Sequence, residues 1–111
     1  MDDRRARELL QAERRRIANE LSQLGVQAGE ELSTTDLADH ASDLYQEEVD
    51  VGRLDELRDQ LAAVERADER LQHGRYGMSV ESGEPIPDAR LEALPTAERT
   101  LAEEQRIDHH R

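Results

Sequence analysis

The chain of 111 residues contains no cysteine, no tryptophan and no phenylalanine, and arginine supplies all fifteen of its basic residues. Without cysteine the protein forms no disulfide bond and has no thiolate with which to bind zinc or attack a substrate. Hydrophobic residues make up 35% of the chain. That share is enough for one small domain, but it excludes the large core that supports a deep enzymatic cleft.

Long hydrophobic runs are also missing. No segment approaches the roughly 18 apolar residues of a membrane-spanning helix. The charged beginning Met1–Arg5 is not followed by the apolar stretch of a secretory signal. The sequence therefore predicts a soluble, cytoplasmic protein that does not bind membranes.

The charges are unbalanced along the chain, with 27 acidic residues against 15 arginines and a net charge of −12. Residues 25–52 contain eight acidic residues and no arginine, whereas residues 1–24 and 53–75 are close to neutral. Direct, specific DNA binding is disfavoured, because phosphate backbones require clustered cations. The acidic segment is either a solvated surface or a surface for a partner.

Two long helices are predicted from hydrophobic spacing. Residues 2–24 lack Gly and Pro, and Gly25 is well placed to end the first helix. Its apolar residues recur at spacings of seven, four and three, which is typical of a coiled-coil seam. They are Leu10, Ile17, Leu21 and Leu24. The second helix is predicted to begin near Thr35 or Asp36, to continue to about His73, and to show the same spacing from Leu54 onward.

A single amphipathic helix leaves its apolar stripe exposed, so the two helices are expected to pair. We predict a mainly α fold in which residues 1–75 form an antiparallel two-helix coiled-coil hairpin. Its acidic tip spans about residues 25–41. Arg14 and Asp68 interrupt the seam, which favours a monomer over a long self-associating rod.

Residues 76–111 are predicted to form a small C-terminal lobe with a terminal helix. Pro87 and Asp88 predict a short helix through Leu94, and Pro95 with Thr96 predicts a last helix to Ile107. A small apolar cluster is expected to hold the lobe together. Its predicted members are Tyr76, Met78, Val80, Ile86, Leu91 and Leu94.

Two motifs occur in a fixed order on this scaffold. The segment Asp36–Ala41 reads D-x-x-D-x-A, and the segment Gly74–Pro95 contains the elements G-x-P-I and R-L-x-A-x-P. Joined by a long helix, they resemble the DksA/TraR family of bacterial transcription regulators over about residues 30–103. The first motif alone is weakly specific, whereas the ordered combination is specific.

The resemblance implies a transcription regulator that binds RNA polymerase and has no catalytic activity of its own. In that family the hairpin enters the secondary channel and its acidic tip approaches the polymerase active site, where it modulates initiation. The matching tip residues are Asp36, Asp39 and Ala41. Carboxylates there can contact Mg²⁺ or pair with basic channel residues. Guanosine tetraphosphate is implied only as a ligand bound jointly with polymerase.

The zinc ligands of the DksA/TraR family are replaced by other residues in this chain. At the family spacing C-x2-C-x17-C-x2-C this chain has Ser79, Ser82, Thr100 and Glu103. Hydroxyl groups do not ionise near neutrality, and one carboxylate cannot hold the ion. We therefore predict a degenerate finger that binds neither zinc nor another metal, and a lobe that is looser than its zinc-containing relatives.

Other interpretations stay open. Asp36 and Asp39 at a helix N-terminus are favourable through the helix dipole by about 0.3–1 kcal/mol each, without any partner. The hairpin is alternatively a non-catalytic protein–protein interaction module that no longer binds polymerase. A metal-dependent enzyme is disfavoured, because the sequence has no nucleophile–base set and no phosphate-binding glycine loop.

Overall fold

The computed structural model describes residues 1–25, 33–34 and 51–109. Within these ranges the chain is mainly helical, as predicted. The helices are α1 (Asp3–Gln23), α2 (Val51–Gln72), α3 (Asp88–Ala93) and α4 (Leu101–His109). An isolated antiparallel bridge pairs Met78 with Pro85.

The chain divides into two compact units. The first unit combines Met1–Leu10 with Arg66–Arg111, and the second unit is Gln11–Glu65. Each of the two long helices therefore contributes to both units. The division at residue 75 into a hairpin and a lobe stays a prediction.

The second unit is held together by an apolar seam between α1 and α2. The seam residues are fully buried, and the partly buried Ala18 and Leu24 pack against them. They are Ile17, Leu21, Leu54, Leu57, Leu61 and Val64. The spacing of three and four residues that predicted the helices thus places one apolar stripe of each helix against the other.

Polar contacts across the seam show that the two helices are antiparallel. Arg16 Nη2 on α1 donates a hydrogen bond to Gln60 Oε1 on α2 at 2.6 Å. One turn further along α1, Glu20 pairs with Arg53. The partner on α2 moves backwards along the chain as α1 advances. The predicted antiparallel pairing is therefore confirmed.

Helix α2 ends at Gln72, close to the predicted end at about His73, and Gly74 follows it. Gly74 adopts a positive φ of 69°, which an L side chain rarely tolerates. The N–H of Gly74 donates to the Leu71 carbonyl at 3.2 Å, and the N–H of Arg75 donates to the Arg70 carbonyl at 2.8 Å. This pair of bonds is a Schellman motif, and it satisfies carbonyls that the helix end would otherwise leave free.

The apolar cluster of the first unit differs from the prediction. Ile86, Leu91 and Ala97 are buried, and Tyr76 packs against them while its hydroxyl donates to the Pro95 carbonyl at 2.8 Å. Three predicted members are instead exposed by 43 to 49% of their surface: Met78, Val80 and Leu94. Ala97, which was not predicted, fills the cluster.

The last helix also begins later than predicted. Helix α4 starts at Leu101 rather than at Thr96. The intervening backbone has other partners, since the Glu98 carbonyl accepts a hydrogen bond from the Val80 N–H at 2.8 Å. Burial of Ala97 in the cluster holds this segment outside a helix. The short helix α3 lies where Pro87 and Asp88 predicted it.

Most of the predicted tip, residues 26–32 and 35–41, lies outside the described residues. Asp36, Asp39 and Ala41 belong to this part, as does the predicted start of the second helix near Thr35 or Asp36. The described part of that helix begins at Val51. The prediction of one straight helix from Thr35 or Asp36 to His73 is wrong, because the Thr34 N–H donates a hydrogen bond to Glu65 Oε1 at 2.6 Å. A straight helix of about 30 residues would hold these two positions roughly 45 Å apart. Among the described helices, none is both long enough and apolar enough to cross a membrane.

Truncation of the seam is expected to destabilise the second unit. Leu57 is fully buried, so Leu57→Ala should reduce the free energy of unfolding by about 2–5 kcal/mol through lost burial and the cavity left behind. Val51→Ala, on the same helix but 44% exposed, should change it by less than about 0.5 kcal/mol. Urea unfolding followed by circular dichroism measures both. Equal losses in the two variants would contradict the packing described here.

Candidate functional site

Ser79 and Ser82 lie in a tight turn that is closed by backbone hydrogen bonds. The Ser79 N–H donates to the Glu84 carbonyl at 2.8 Å, and the Gly83 N–H donates to the Ser79 carbonyl at 2.9 Å. Inside the turn, Ser79 Oγ accepts hydrogen bonds from the N–H groups of Glu81 and Ser82, at 3.1 and 3.2 Å. The turn thereby fixes the position of the Ser79 hydroxyl.

Thr100 and Glu103 form a capping box at the start of α4. The Thr100 N–H donates to Glu103 Oε1 at 2.8 Å, and the Glu103 N–H donates to Thr100 Oγ1 at 3.3 Å. In this motif each side chain satisfies a backbone donor that the first helical turn leaves free. The sequence Thr-x-x-Glu therefore sets where α4 begins.

The Ser79 turn and the capping box meet. Ser79 Oγ donates a hydrogen bond to Glu103 Oε1 at 2.7 Å, across 24 residues of sequence. Ser79 and Glu103 are only 5% and 3% exposed. A serine hydroxyl has one donor and two acceptor sites, and all three are used here. We call this set, Ser79, Ser82, Thr100 and Glu103 with their mutual hydrogen bonds, the polar knot.

The polar knot keeps Glu103 ionised. Its hydrogen bonds lower the pKa of the Glu103 carboxyl to about 2, with the Ser79 hydroxyl the largest cause and the Thr100 N–H the next. The Ser82 hydroxyl lowers it further. Each of these donors stabilises the charged form of the carboxyl group more than the neutral form. The knot is therefore centred on a negative charge near neutral pH.

Zinc does not fit this arrangement. A structural zinc site takes four ligands from thiolate, imidazole and carboxylate groups, and three of these four positions carry neutral hydroxyls. The carboxylate oxygen that faces them already accepts two hydrogen bonds. In the part of the chain that the structure describes, no group of three or more His, Asp or Glu side chains could hold a metal ion.

Charged contacts join the lobe to the long helices within the first unit. Arg5 on α1 forms a bidentate salt bridge with Glu92 on α3. Its Nε donates to Oε1 at 2.8 Å, and its Nη2 donates to Oε2 at 2.6 Å. The hydrogen bonds from Arg5 lower the pKa of Glu92. On α2, Arg66 donates to Glu98 Oε1 through Nε at 3.0 Å and Nη2 at 2.8 Å. Helix α3 is thus joined to α1, and the segment that follows α3 is joined to α2.

The four positions at which the DksA/TraR family has zinc ligands lie together in the structure, as the polar knot. The tip residues Asp36, Asp39 and Ala41 lie outside the described residues, so their geometry stays a prediction. The sequence interpretation missed the hydrogen bonding within the knot. The pattern Thr100-x-x-Glu103 carried that signal, because it is the sequence signature of a capping box.

Known proteins are similar to this chain in sequence and in fold. The family described as prokaryotic dksA/traR C4-type zinc finger matches residues 80–109. The solved structure of transcription factor DksA2 from Pseudomonas aeruginosa is 30% identical, with a TM-score of 0.50, over 96% of this chain and 77% of that one. The chain belongs to the DksA/TraR family. Members of this family are non-catalytic transcription factors, which agrees with the prediction that the chain is not an enzyme.

Two curated relatives extend the comparison. The RNA polymerase-binding transcription factor DksA of Caulobacter vibrioides is 38% identical over 71 residues, which are 64% of this chain and 50% of that protein. The protein YteA of Bacillus subtilis is 43% identical over 65 residues, which are 59% of this chain and 27% of that protein. The chain thus spans half or less of the curated relatives it matches.

Acid is expected to weaken the polar knot. Folding lowers the pKa of Glu103 from 4.5 to about 2. A carboxyl group shifted in this direction contributes stability above its unfolded-state pKa, and the contribution is lost as the pH falls from about 4.5 to about 2. Thermal unfolding between about pH 2 and pH 6 should show this loss, and Glu103→Gln should remove it.

The matched control is Glu84→Gln, which neutralises an exposed carboxylate in the same turn. It should leave the acid dependence close to that of the unmodified chain. Identical acid dependence in the unmodified chain and in Glu103→Gln would show that the carboxylate is not held as described.

The knot also predicts how the chain responds to metal. A chelator should leave the unfolding temperature unchanged, because no folding energy comes from zinc. Replacing Ser79, Ser82, Thr100 and Glu103 together by cysteine should create a site for about one zinc ion per chain, since the fold already gathers these positions. Metal analysis and the absorption spectrum of the cobalt form measure this. Zinc bound by the unmodified chain would contradict the assignment.

Proposed function

We propose that this chain binds RNA polymerase and modulates transcription initiation by inserting its acidic tip into the secondary channel. The observation that carries the proposal is family membership over nearly the whole chain. The match to transcription factor DksA2 covers 96% of it, and so includes both long helices and the C-terminal lobe. The relative from Caulobacter vibrioides is named for RNA polymerase binding.

In this proposal residues 1–75 act as the hairpin and residues 76–111 as the lobe that supports it. The described part of the hairpin, two antiparallel helices with a buried seam, is slender enough in cross-section to suit a channel. Two packed helices lie about 8–10 Å apart. A globular domain of similar mass would be wider. The chain acts inside the cell as a monomer and without a zinc ion.

Charge supports the acidic tip as the contacting surface. Residues 25–52 carry eight acidic residues and no arginine, so they favour a basic partner surface or a metal ion that the partner holds. Asp36 and Asp39 are three residues apart, a spacing that places both on one face when the segment is helical. Ala41 is small and permits close approach.

A double substitution tests the tip. Asp36→Asn combined with Asp39→Asn should abolish the effect on open-complex lifetime while most polymerase binding is retained, because the shape of the hairpin is unchanged and only the charges that act at the channel end are lost. Glu47→Gln with Glu48→Gln is the matched control, since it removes the same charge from the same acidic segment. The control should keep most of the effect.

The measurements are a pull-down with core RNA polymerase and the decay of promoter complexes. A full effect in the Asp36/Asp39 variant would defeat the tip mechanism. Failure of the unmodified chain to bind core polymerase would defeat the proposal as a whole and would favour a protein–protein interaction module with another partner.

A further inference from the structure

A contact between Thr34 and helix α2, within the second unit, is not used by the proposed function. The Thr34 N–H donates a hydrogen bond to Glu65 Oε1 at 2.6 Å, across 31 residues of sequence. Both residues are partly buried. Among the described residues, no arginine pairs with Glu65, whereas Glu20 on α1 contacts two arginines. The Glu65 carboxylate is therefore engaged by the backbone of Thr34.

The position of this contact along α2 is unexpected for a hairpin. Glu20 pairs with Arg53, so α1 approaches the beginning of α2 as it advances to its own end at Gln23. Glu65 lies 12 residues after Arg53, which is about 18 Å along a helix. Thr34 therefore contacts α2 far from the end at which α1 stops.

The apolar seam does not use the contact. Among the described residues, the buried members of the seam belong to α1 and α2, and Leu24 packs on them just after α1. The hydroxyl oxygen of Thr34 is buried, and no described group forms a hydrogen bond with it. A buried hydroxyl without a partner is unfavourable. The contact can consequently open without loss of seam packing, and its opening returns this hydroxyl to water.

We propose that the Thr34–Glu65 contact is an autoinhibitory self-contact, which holds the start of the acidic segment against α2 and opens when the chain acts on RNA polymerase. Asp36 follows Thr34 by two residues, and two residues of chain span at most about 7 Å. The described start of α2, Val51, is about 21 Å from Glu65 along the helix. While the contact is formed, Asp36 does not reach beyond that end. The inference rests on the proposed function and adds regulation of the same tip.

The self-contact and a partner compete for the same segment. Only the open fraction of the chain is competent to bind, so the contact lowers the apparent affinity for the partner by that fraction. A basic partner surface favours the open form, because residues 25–52 carry eight acidic residues. Weakening the contact should therefore raise the affinity for polymerase. Loss of a purely structural hydrogen bond would leave the affinity unchanged or lower it.

The first test uses the full-length chain and core RNA polymerase. Glu65→Ala removes the acceptor and should raise the apparent affinity by about tenfold, as expected for the loss of a hydrogen bond to a charged group. Glu69→Ala is the matched control, since it removes an exposed carboxylate one turn further along the same helix, and should leave the affinity unchanged. Without polymerase, hydrogen exchange of the Thr34 amide should be slow in the unmodified chain and in Glu69→Ala, and fast in Glu65→Ala.

A reversible crosslink tests the opposite direction. Because the chain has no cysteine, Thr34→Cys with Glu65→Cys introduces a single pair of thiols, which oxidation before the addition of polymerase joins. The oxidised form should lose the effect on open-complex lifetime, and the reduced form should show it. This pair retains the test if Glu65→Ala fails to fold.

The outcomes separate this inference from the proposed function. Equal polymerase affinity in Glu65→Ala and Glu69→Ala overturns the inference alone, as does fast exchange of the Thr34 amide in the unmodified chain. A full effect of the oxidised pair on open-complex lifetime also overturns it and leaves the proposed function intact. Failure of the unmodified chain, of Glu65→Ala and of the reduced pair to bind core polymerase overturns both.

Discussion

One hydrogen bond, from the Ser79 hydroxyl to the Glu103 carboxylate, takes the place at which the family's C4-type finger has a metal ion. It joins two segments 24 residues apart, and it does so only because each partner is already fixed locally. Ser79 is held by its turn and Glu103 by its capping box. The capping box sets the start of α4, and the junction joins that helix end to the Ser79 turn.

A hydrogen-bonded junction is weaker than a metal site, so the rest of the lobe must be supported in other ways. Zinc contributes on the order of 10 kcal/mol in small zinc-finger peptides, whereas a hydrogen bond to a charged group contributes about 1.5–3 kcal/mol. The apolar cluster of Ile86, Leu91 and Ala97 is small. The contacts of Arg5 with Glu92 and of Arg66 with Glu98 tie the lobe to both long helices. Residues 76–111 consequently form one compact unit with the helix ends and not by themselves.

The parts of this fold that could be predicted from sequence are those governed by local rules. Hydrophobic spacing identified the seam residues from Ile17 to Val64, and glycine marked the end of α2 at Gly74. The lobe has no such period, and so its exposed Met78 and Val80 could not be told from its buried Ile86. The late start of α4 was predictable from Thr100 and Glu103, but only if those residues are considered as a capping box. The pairing of Arg66 with Glu98 depends on the tertiary fold, which no local pattern encodes.

The distribution of charge is the remaining link between the fold and a partner. In the two long helices α1 and α2, acidic residues are matched by arginines, as in the contacts of Arg16 and Arg53 with Glu20. Residues 25–52 depart from this rule, with eight acidic residues and no arginine of their own. Like charges held on one short segment repel each other across distances within the screening length of about 8–10 Å. The high acidic content of the chain does not by itself explain why this segment lacks arginine. The neighbouring residues 1–24 and 53–75 contain nearly equal numbers of acidic residues and arginines. Under the proposed function, the charges of this segment act on a basic partner surface or on a metal ion that the partner holds, and not on the stability of the chain itself.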